Sequence, residues 1–376
     1  MKRLLRLFTK QIVWIVNILV VVLLLCTKFI PFVNPNKIWA IGILGLATPF
    51  IAVANILFII LWMLFAKWRR LLLSAIAIVL CWNIFSVGIA GNIFQKNVEQ
   101  NSKLQLKIMS YNVRLLDYYK WSGNKDTRSK MLEFIRQQNA DILCLQEFFS
   151  SQDSTGIQNV KAICDSCNYS YAAANKNFIT KRGFFGDIIF SKLPIVHQES
   201  MQLDTSTLTH RYQYADVVWQ ADTFRVYNLH LQSVRFDKQD IALLNNKENI
   251  KAKKNNYEQS KIIIKKLKSS FAKRGLQADE IKSNMLQSPY TNIVCGDFND
   301  IPSSYTYFNL RTNLNDAFLD KGFGFGRTYQ GISPVLRIDN IFYDAQKWRL
   351  LSFQKIDVNY SDHYPIIACL QNKYDK

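Results

Sequence analysis

The chain has 376 residues and a formal net charge of +19, which is unevenly distributed. The first 91 residues contain no Asp or Glu but nine Lys and Arg residues, and the remaining 38 basic and 28 acidic residues give the rest of the chain a net charge of +10. This distribution excludes a single soluble domain of uniform composition, and the positive charge favours anionic partners without indicating any fold.

Three uncharged apolar spans lie between the basic residues of the N-terminal part: Gln11–Thr27, which Phe29–Val33 extends, Ile38–Ala66 and Leu71–Phe94. A bilayer core of about 30 Å requires roughly 20 apolar residues in a helix. We therefore predict a region of three transmembrane helices over residues 1–94. A cleaved signal peptide is the alternative for the first span, but no clear cleavage site of small residues follows it and two further spans do.

The basic residues also predict the orientation of these helices. Four precede the first helix, and Lys67, Arg69 and Arg70 separate the second from the third, whereas only Lys28 and Lys37 lie near the first loop. Because short loops rich in Lys and Arg remain in the cytoplasm, we expect a cytoplasmic N-terminus. Three crossings would place the rest of this multi-pass chain outside the cytoplasm, on the far side of the inner (plasma) membrane.

Residues 95–103, "QKNVEQNSK", are polar and without a pattern, which predicts a short linker. The remaining residues, 104–376, are enough for one large domain. Within it, Cys164 and Cys167 form a single C-x-x-C motif. Without a second pair this motif is weak evidence for zinc, and a disulfide or two free thiols are both better supported.

Eight apolar segments of this domain have the length and composition of strands. They are residues 106–113, 140–147, 185–192, 214–221, 223–231, 291–298, 337–344 and 365–371. Between the first two, "TRSKMLEFIRQQN" has apolar residues at helical spacing. We therefore predict an α/β (α+β) domain in which two packed, mainly antiparallel sheets are flanked by helices.

Residues 234–290 differ from this pattern because apolar positions such as Leu267 and Phe271 stand on a basic background. We interpret the segment as a pair of surface helices with solvated lysines. The alternative is a basic face that turns towards an anionic membrane or a polyanionic substrate.

Polar residues recur where the predicted strands end. The motifs, in chain order, are "SYN", "LQE", "NLHL", "GDFND", "RID" and "YSDHYP". Each is common by chance, but all six in this order resemble the endonuclease/exonuclease/phosphatase superfamily, which includes DNase I, apurinic endonucleases, neutral sphingomyelinases and inositol polyphosphate phosphatases. The resemblance spans about Leu104 to Gln371. It implies a four-layer α/β sandwich of DNase I type and a metal-dependent phosphoric ester hydrolase.

The resemblance assigns three residues to a metal ion. Glu147 corresponds to the principal ligand, Asn112 lies beside it, and Asp362 shares a metal. Carboxylate and amide oxygens suit Mg²⁺, and Mn²⁺ is the alternative. The number of metal ions stays open.

The resemblance also implies the catalytic and substrate-binding residues. Asp297 and Asn299 orient the attacking water and bind a phosphoryl oxygen, and His363 is the base or a phosphate-binding imidazolium that Asp339 orients. His230 lies near the leaving group or the phosphate. Whether Asp297 or His363 removes the proton from water stays open.

Four further residues near these motifs carry weaker expectations. Arg211 corresponds to a basic residue that contacts a phosphate oxygen. Asn340 replaces the Tyr that many relatives have after the "RID" aspartate, which puts a supporting contact in doubt. Asp300 is interpreted as a turn or helix-capping residue, and Asp187 has no assigned role.

The sequence indicates the class of substrate less directly than it indicates the fold and the site residues. A phosphodiester in nucleic acid is marginally favoured because of the basic charge and because no lipid-specific motif is present. A phospholipid diesterase of sphingomyelinase type and an inositol phosphate phosphatase are alternatives on the same scaffold. A non-catalytic membrane receptor for a phosphorylated ligand is a further alternative. The expected partners are the phosphate-ester substrate and the lipid bilayer, and no protein partner is predicted.

Overall fold

The computed structural model describes residues 2–92, 105–202, 211–237, 240–241, 253–331 and 336–374. The predicted linker over residues 95–103 lies outside this part of the chain.

Three long helices form the N-terminal part: α1 (Lys2–Cys26), α2 (Ala40–Leu64) and α3 (Trp68–Phe85). The segments Lys10–Phe29, Ala40–Leu64 and Trp68–Gly88 are each long and apolar enough to cross a membrane. Polar side chains lie inside the bundle, where Trp62 Nε1 donates a hydrogen bond to Asn17 Oδ1 at 2.8 Å and Asn17 Nδ2 donates one to Ser74 Oγ at 2.7 Å. Because these polar groups form hydrogen bonds with one another, they need no partner on the outer surface of the bundle, which can therefore be apolar. The three predicted apolar helices are confirmed.

The rest of the chain contains fourteen strands among the described residues. They are β1 (Ala90–Gly91), β2 (Gln105–Asn112), β3 (Ile142–Ser150), β4 (Tyr171–Thr180), β5 (Gly183–Ser191), β6 (Ile195–Gln202), β7 (Arg211–Trp219), β8 (Asp222–His230), β9 (Thr291–Asp297), β10 (Asn315–Asp316), β11 (Phe323–Gly324), β12 (Asp339–Tyr343), β13 (Trp348–Lys355) and β14 (Ile366–Asn372).

Twelve of these strands form two six-stranded sheets. The first sheet has the order β10-β12-β9-β8-β7-β6, and the second has the order β13-β14-β2-β3-β5-β4. Most neighbours are antiparallel, but β8 and β9 are parallel in the first sheet, and β2 and β3 are parallel in the second. This topology confirms the prediction of two mainly antiparallel sheets.

The two sheets pack face to face and helices cover their outer faces. The inner faces meet in one apolar core that includes Ile108 and Cys144 from the second sheet and Val226 and Cys295 from the first. Burial of each such aliphatic side chain contributes about 1.5–3 kcal/mol. The helices are α4 (Thr127–Gln138) and α5 (Asn159–Cys167) outside the second sheet, and α6 (Lys253–Gln287) and α7 (Tyr305–Leu310) outside the first. The result is a four-layer α/β sandwich.

All eight predicted strands are present, whereas β4, β6 and β13 were not predicted. These three strands lie at the edges of the sheets. An edge strand is covered on fewer sides, so its sequence need not be a continuous apolar run. The sequences of β4, "YAAANKNFIT", and β6, "IVHQESMQ", show this mixed character.

The basic segment over residues 234–290 contains α6, a single helix of 35 residues. Its side chains are not all solvated, because Ala278, Ile281 and Met285 are buried against the first sheet. The helix still lies on the outside of the sandwich and its described lysines are exposed or half-buried, as predicted, while a narrow apolar stripe covers the sheet. Most of the remaining segment, 238–239 and 242–252, lies outside the described residues, so the second helix of the pair stays a prediction.

Candidate active site

Three neighbouring strands of the first sheet place a polar residue at the same level. The strand register pairs His230 of β8 with Asp297 of β9, and Asp297 with Asp339 of β12. The parallel strands β8 and β9 end at these residues, whereas the antiparallel strand β12 begins there. Three side chains that are far apart in sequence therefore lie side by side at one edge of the sheet.

His363 lies between the two carboxylates of this edge. Its Nδ1 atom is 3.0 Å from Asp339 Oδ2, and its Nε2 atom is 3.6 Å from Asp297 Oδ2. The ring of Tyr329 is tilted over it at a centroid distance of 5.0 Å. Asp297, Asp339 and His363 are all buried, and one potential ligand atom from each lies within 4.8 Å of the other two.

The buried carboxylates change the protonation of this group. Burial disfavours the charged ring of His363, but Asp339 and Asp297 outweigh this effect and raise the pKa of His363 to about 10. Burial also raises the pKa of Asp297 above its usual value, although the positive charge of His363 opposes this shift. The two acidic side chains therefore favour the imidazolium form of His363.

The second sheet contributes Asn112 and Glu147, which end β2 and lie within β3. Asn112 Nδ2 donates hydrogen bonds to Glu147 Oε1 at 3.2 Å and to Asp297 Oδ2 at 3.1 Å. Glu147 has a φ of +48°, and the register of β3 with β5 shifts between Leu145 and Phe148. This bulge in the left-handed region turns the Glu147 side chain towards the first sheet.

His230 faces two carboxylates with one ring nitrogen and a third carboxylate with the other. Its Nε2 atom is 3.7 Å from Glu147 Oε1 and 4.0 Å from Asp297 Oδ2, and its Nδ1 atom is 3.5 Å from Asp187 Oδ1. Burial lowers the stability of the charged ring, but the hydrogen bond and charge of Asp187, together with Glu147 and Asp297, raise the pKa of His230 to about 9.

Asp187 is the site residue to which the sequence assigned no role. It is 1% exposed, and its Oδ1 atom also accepts a hydrogen bond from Glu147 N at 3.2 Å. Asp187 therefore contacts both His230 and the strand bulge that carries Glu147. The available sequence signal was a carboxylate inside the apolar strand segment "GFFGDIIFS", because a buried charge requires a partner.

A pair of buried amides below the site joins the two sheets. Gln146 Nε2 of β3 donates a hydrogen bond to Asn228 Oδ1 of β8 at 2.7 Å, and both residues are fully buried. Gln146 adjoins Glu147, and Asn228 precedes His230 by two residues. This bond therefore sets the position of the Glu147 side of the site relative to the His230 side.

Asn299 follows β9 with a φ of +52°, in the left-handed region that Asn tolerates. Its backbone N donates a hydrogen bond to Asp297 Oδ1 at 2.8 Å, and its Nδ2 atom donates one to Leu231 O at 3.0 Å. These bonds leave its side-chain oxygen as the group that can accept a further hydrogen bond from a ligand.

Two other predicted site residues have different surroundings. The Asp362 carboxylate lies 3.5 Å from Arg114 Nε and accepts a hydrogen bond from Ser361 Oγ at 3.2 Å. The structure thus gives Asp362 a cationic neighbour that the sequence did not indicate. Arg211 begins β7, but its side chain lies outside the described part of the structure.

Asp300 and Asn340 have structural partners. Asp300 is buried and forms an ion pair with Arg274 Nε at 3.0 Å, so its interpretation as a turn or capping residue was incomplete. The cap of α7 is Ser304, which accepts a hydrogen bond from Tyr307 N. Asn340 Oδ1 accepts a hydrogen bond from Arg337 Nη1 at 2.6 Å.

The donor set suits a divalent cation. Glu147, Asp297 and Asp339 supply carboxylate oxygens, and hard oxygen ligands are those that Mg²⁺ and Mn²⁺ prefer. Asn112 turns its Nδ2 atom towards Glu147 and Asp297, while its side-chain oxygen accepts a hydrogen bond from Arg114 N. Burial raises the pKa of Asp297 because it disfavours the charged carboxylate. A nearby cation would oppose this effect by stabilising the charged form. The predicted ligand set of Asn112, Glu147 and Asp362 stays a prediction.

Two family models match the chain. A model described as the Endonuclease/Exonuclease/phosphatase family matches residues 109–257 and 262–363, which is more than half of the chain. A model described as a domain of unknown function matches residues 10–88. No sequence among curated proteins gives a significant match.

Solved structures share the fold at low sequence identity. A crystal structure of humanized TDP2 from D. rerio has a TM-score of 0.50 and 17% identity, and the alignment covers 71% of this chain and 99% of that one. An endonuclease/exonuclease/phosphatase family protein from Bacteroides thetaiotaomicron has a TM-score of 0.50 and 15% identity, with 71% and 97% coverage. A functionally unknown conserved protein from Enterococcus faecalis V583 has a TM-score of 0.50 and 15% identity, and the alignment covers 71% of this chain and 100% of that one.

Proposed function

Because the chain belongs to the endonuclease/exonuclease/phosphatase family and is a phosphoester hydrolase, we propose that it is a membrane-anchored phosphodiesterase that hydrolyses its substrate by in-line attack of water. In this proposal residues 1–94 form the membrane anchor, 95–103 the linker and 104–376 the catalytic domain. The single observation that carries it is the register of β8, β9 and β12, which brings His230, Asp297 and Asp339 together below His363.

Asp297 is the proposed base that takes a proton from the attacking water. The alternative base, His363, lies between the carboxylates of Asp339 and Asp297, which favour its protonated form. A protonated imidazole cannot accept another proton, whereas it can donate a hydrogen bond to an anionic phosphoryl oxygen. Asn112 Nδ2 donates a hydrogen bond to Asp297 Oδ2 and Asn299 N donates one to Asp297 Oδ1, and these two bonds orient the carboxylate.

His230 and His363 supply positive charge on two sides of the reaction centre. Asp339 orients His363 through Nδ1, and Asp187 orients His230 in the same way, so that both Nε2 atoms point towards Asp297. Negative charge that develops on the phosphoryl and leaving oxygens would be stabilised by these two groups. Protonation of the leaving oxygen is the step that we assign to His230.

Asn112, Glu147 and Asp362 are the proposed metal ligands, and Asp297 and Asp339 add further carboxylates nearby. When bound there, a divalent ion such as Mg²⁺ or Mn²⁺ would supply positive charge that offsets the negative charge of the phosphoryl group in the transition state. The family generally uses such ions. The carboxylates of Glu147 and Asp297, which share the Asn112 amide as a donor, support a cation at this site, whereas His363, which Asp339 favours in its protonated form, is not among the proposed ligands.

Nucleic acid is the proposed substrate, and ionic strength provides the test. The net charge of +10 outside the N-terminal region favours a polyanion, whose binding releases counterions. We therefore expect that kcat/KM of the full-length protein in detergent falls steeply with rising salt when DNA or RNA is the substrate. The control is bis-p-nitrophenyl phosphate, a small diester whose hydrolysis is expected to depend weakly on salt. Equal salt dependence for both substrates would contradict the nucleic-acid proposal.

A phospholipid headgroup is the second candidate, and the position of the catalytic domain favours it. Ser303 Oγ donates a hydrogen bond to Gly45 O of α2, so part of this domain touches a helix that is apolar enough to cross a membrane. A lipid phosphodiesterase would hydrolyse phospholipid in vesicles, and its rate would depend on the lipid surface more than on bulk salt. Substrate assays on nucleic acid and on vesicles therefore separate the two candidates.

The proposed orientation places the catalytic domain outside the cytoplasm. Its contacts with the bundle lie at Gly45 and Val87, near the start of α2 and beyond the end of α3, away from the basic turn at Lys67, Arg69 and Arg70. An alkaline phosphatase reporter fused after Lys376 is expected to be active, and one inserted after Lys67 is expected to be inactive. The reverse result would overturn this topology.

A further inference from the structure

The helix bundle contacts the enzyme domain through specific polar bonds at one end. Ser303 Oγ, in the loop after β9, donates a hydrogen bond to Gly45 O at 3.0 Å. Asn34, in the turn before α2, donates a hydrogen bond through Nδ2 to Asp279 Oδ2 of α6 at 2.7 Å. These two contacts join one end of the bundle to both α6 and the loop after β9.

Glycine residues, which lack a Cβ atom, allow the bundle and the enzyme domain to approach closely at these contacts. Gly42 of α2 lies against the ring of Phe271, and Gly275 of α6 lies against Asn34. At Gly45, a Cβ atom would lie 2.6 Å from Ser303 O, which is a backbone atom that cannot rotate away. The approach of the loop to α2 therefore requires Gly at position 45.

A buried arginine continues this contact to the active site. Arg274 lies one turn along α6 from Phe271, with its guanidinium carbon 5.2 Å from the centre of that ring, and it is 1% exposed. It donates hydrogen bonds to Asp300 Oδ2 at 3.0 Å and to Gln232 O at 2.8 Å. Gln232 follows the His230 strand end and Asp300 follows the Asp297 strand end, so one side chain holds both.

The loop over residues 298–304 is short and is fixed at both ends. It begins after Asp297, carries Asn299 and reaches Ser303 within six residues. Phe298 and Ser303 are both buried. A shift of Ser303 therefore cannot be absorbed by slack in the chain and would displace Asn299, whose backbone N holds Asp297.

We propose that helix α2 of the apolar bundle is a positioning element of the active site, because it supports the loop over residues 298–304 through Gly45 and supports Arg274 through Phe271. The bundle is then more than an attachment to the membrane. Any change in the position of α2 within the bundle would change the geometry around Asp297 and Asn299. The activity readout of this proposal rests on the proposed function, whereas its exchange readout does not.

The test is Gly45→Ala in the full-length protein in detergent. Ala forms helices more readily than Gly, so the substitution strengthens α2 itself while pushing on Ser303 O. We expect faster hydrogen–deuterium exchange in residues 298–304 and a kcat that is lower by roughly tenfold or more, because small displacements of catalytic groups are costly. The control is Gly88→Ala, where a Cβ would have no neighbour within 4 Å, and it is expected to match the parent in both measurements.

Ser303→Ala provides a second variant that adds no bulk. It removes the hydrogen bond to Gly45 O and is expected to change exchange and kcat in the same direction as Gly45→Ala, but less. If Gly45→Ala does not accumulate in membranes, Ser303→Ala and Asn34→Ala decide the question. Exchange rates in residues 298–304 that equal those of Gly88→Ala for all these variants would overturn the proposal. If no substrate is hydrolysed by the parent protein, the proposed function fails while the exchange result still stands.

Discussion

Asp297→Asn is expected to lower kcat on bis-p-nitrophenyl phosphate by about a thousandfold, because general base catalysis typically contributes 10²–10⁴-fold. The substitution keeps the shape of the side chain but removes the negative charge and the basic oxygen that face His363 and His230. The single amide oxygen can stay at the Oδ1 position and accept the bond from Asn299 N, whereas Asn112 Nδ2 loses its acceptor at Oδ2 and keeps its bond to Glu147 Oε1. The loss should therefore appear in the rate, with little effect on the fold.

Two quantities are measured for the full-length protein in detergent, the initial rate and the unfolding temperature, and each is compared between the variant and the parent. Asp165→Asn is the control, since Asp165 is exposed on α5 and pairs with Lys161 at the surface. We expect the control to keep the parent rate and both variants to keep the parent circular dichroism spectrum. A rate for Asp297→Asn within tenfold of the parent would assign the base to another group.

Removal of the divalent ion is expected to abolish hydrolysis, and Glu147→Gln is expected to weaken binding of the ion. EDTA should stop turnover, and added Mg²⁺ or Mn²⁺ should restore it, because charge on the phosphoryl oxygens would otherwise be poorly compensated. Gln offers one weaker neutral ligand oxygen where Glu147 offers a charged carboxylate that Asn112 orients. We expect a rate lower by roughly a hundredfold or more and a higher Mn²⁺ concentration at half-saturation.

Binding of Mn²⁺, followed by electron paramagnetic resonance, separates a ligand role from an effect on catalysis alone. The matched control is Glu133→Gln on α4, because Glu133 is half-exposed and pairs with Arg136 and Gln137 of its own helix. This variant should bind Mn²⁺ like the parent. Turnover that persists in EDTA would contradict metal dependence, and unchanged Mn²⁺ binding by Glu147→Gln would remove Glu147 from the ligand set.

Much of the fold follows from local patterns in the sequence. The apolar runs that predict central strands are continuous because both faces of those strands are buried, whereas β4, β6 and β13 lack such runs because they lie at sheet edges. The strand bounds differ from prediction by a few residues, since pairing partners decide where a strand ends. The surface position of the long helix α6 was predicted from its basic background, but the narrow stripe that it buries against the first sheet was not.

The candidate site was only partly predictable. Asn112, Glu147, His230, Asp297, Asp339 and His363 all converge, as the polar residues at strand ends suggested. Asp187 was visible in the sequence, but its role depends on the neighbouring position of β8 in the other sheet. Asp362 contacts Arg114 because the loop before β14 passes the left-handed segment after β2, and no local pattern carries that information.

By itself, the sequence determined the division of the chain into an apolar, acid-free region and a mixed α/β region, since length and polarity of a segment decide whether it can be buried in lipid or in a sheet. It also determined which residue types stand at the strand ends. The tertiary structure alone decided that Asp187 orients His230, that Arg274 holds both strand ends, and that Gly45 lies against Ser303. Each of these contacts joins residues that are distant in the chain, and such distances are set by sheet register and packing between layers.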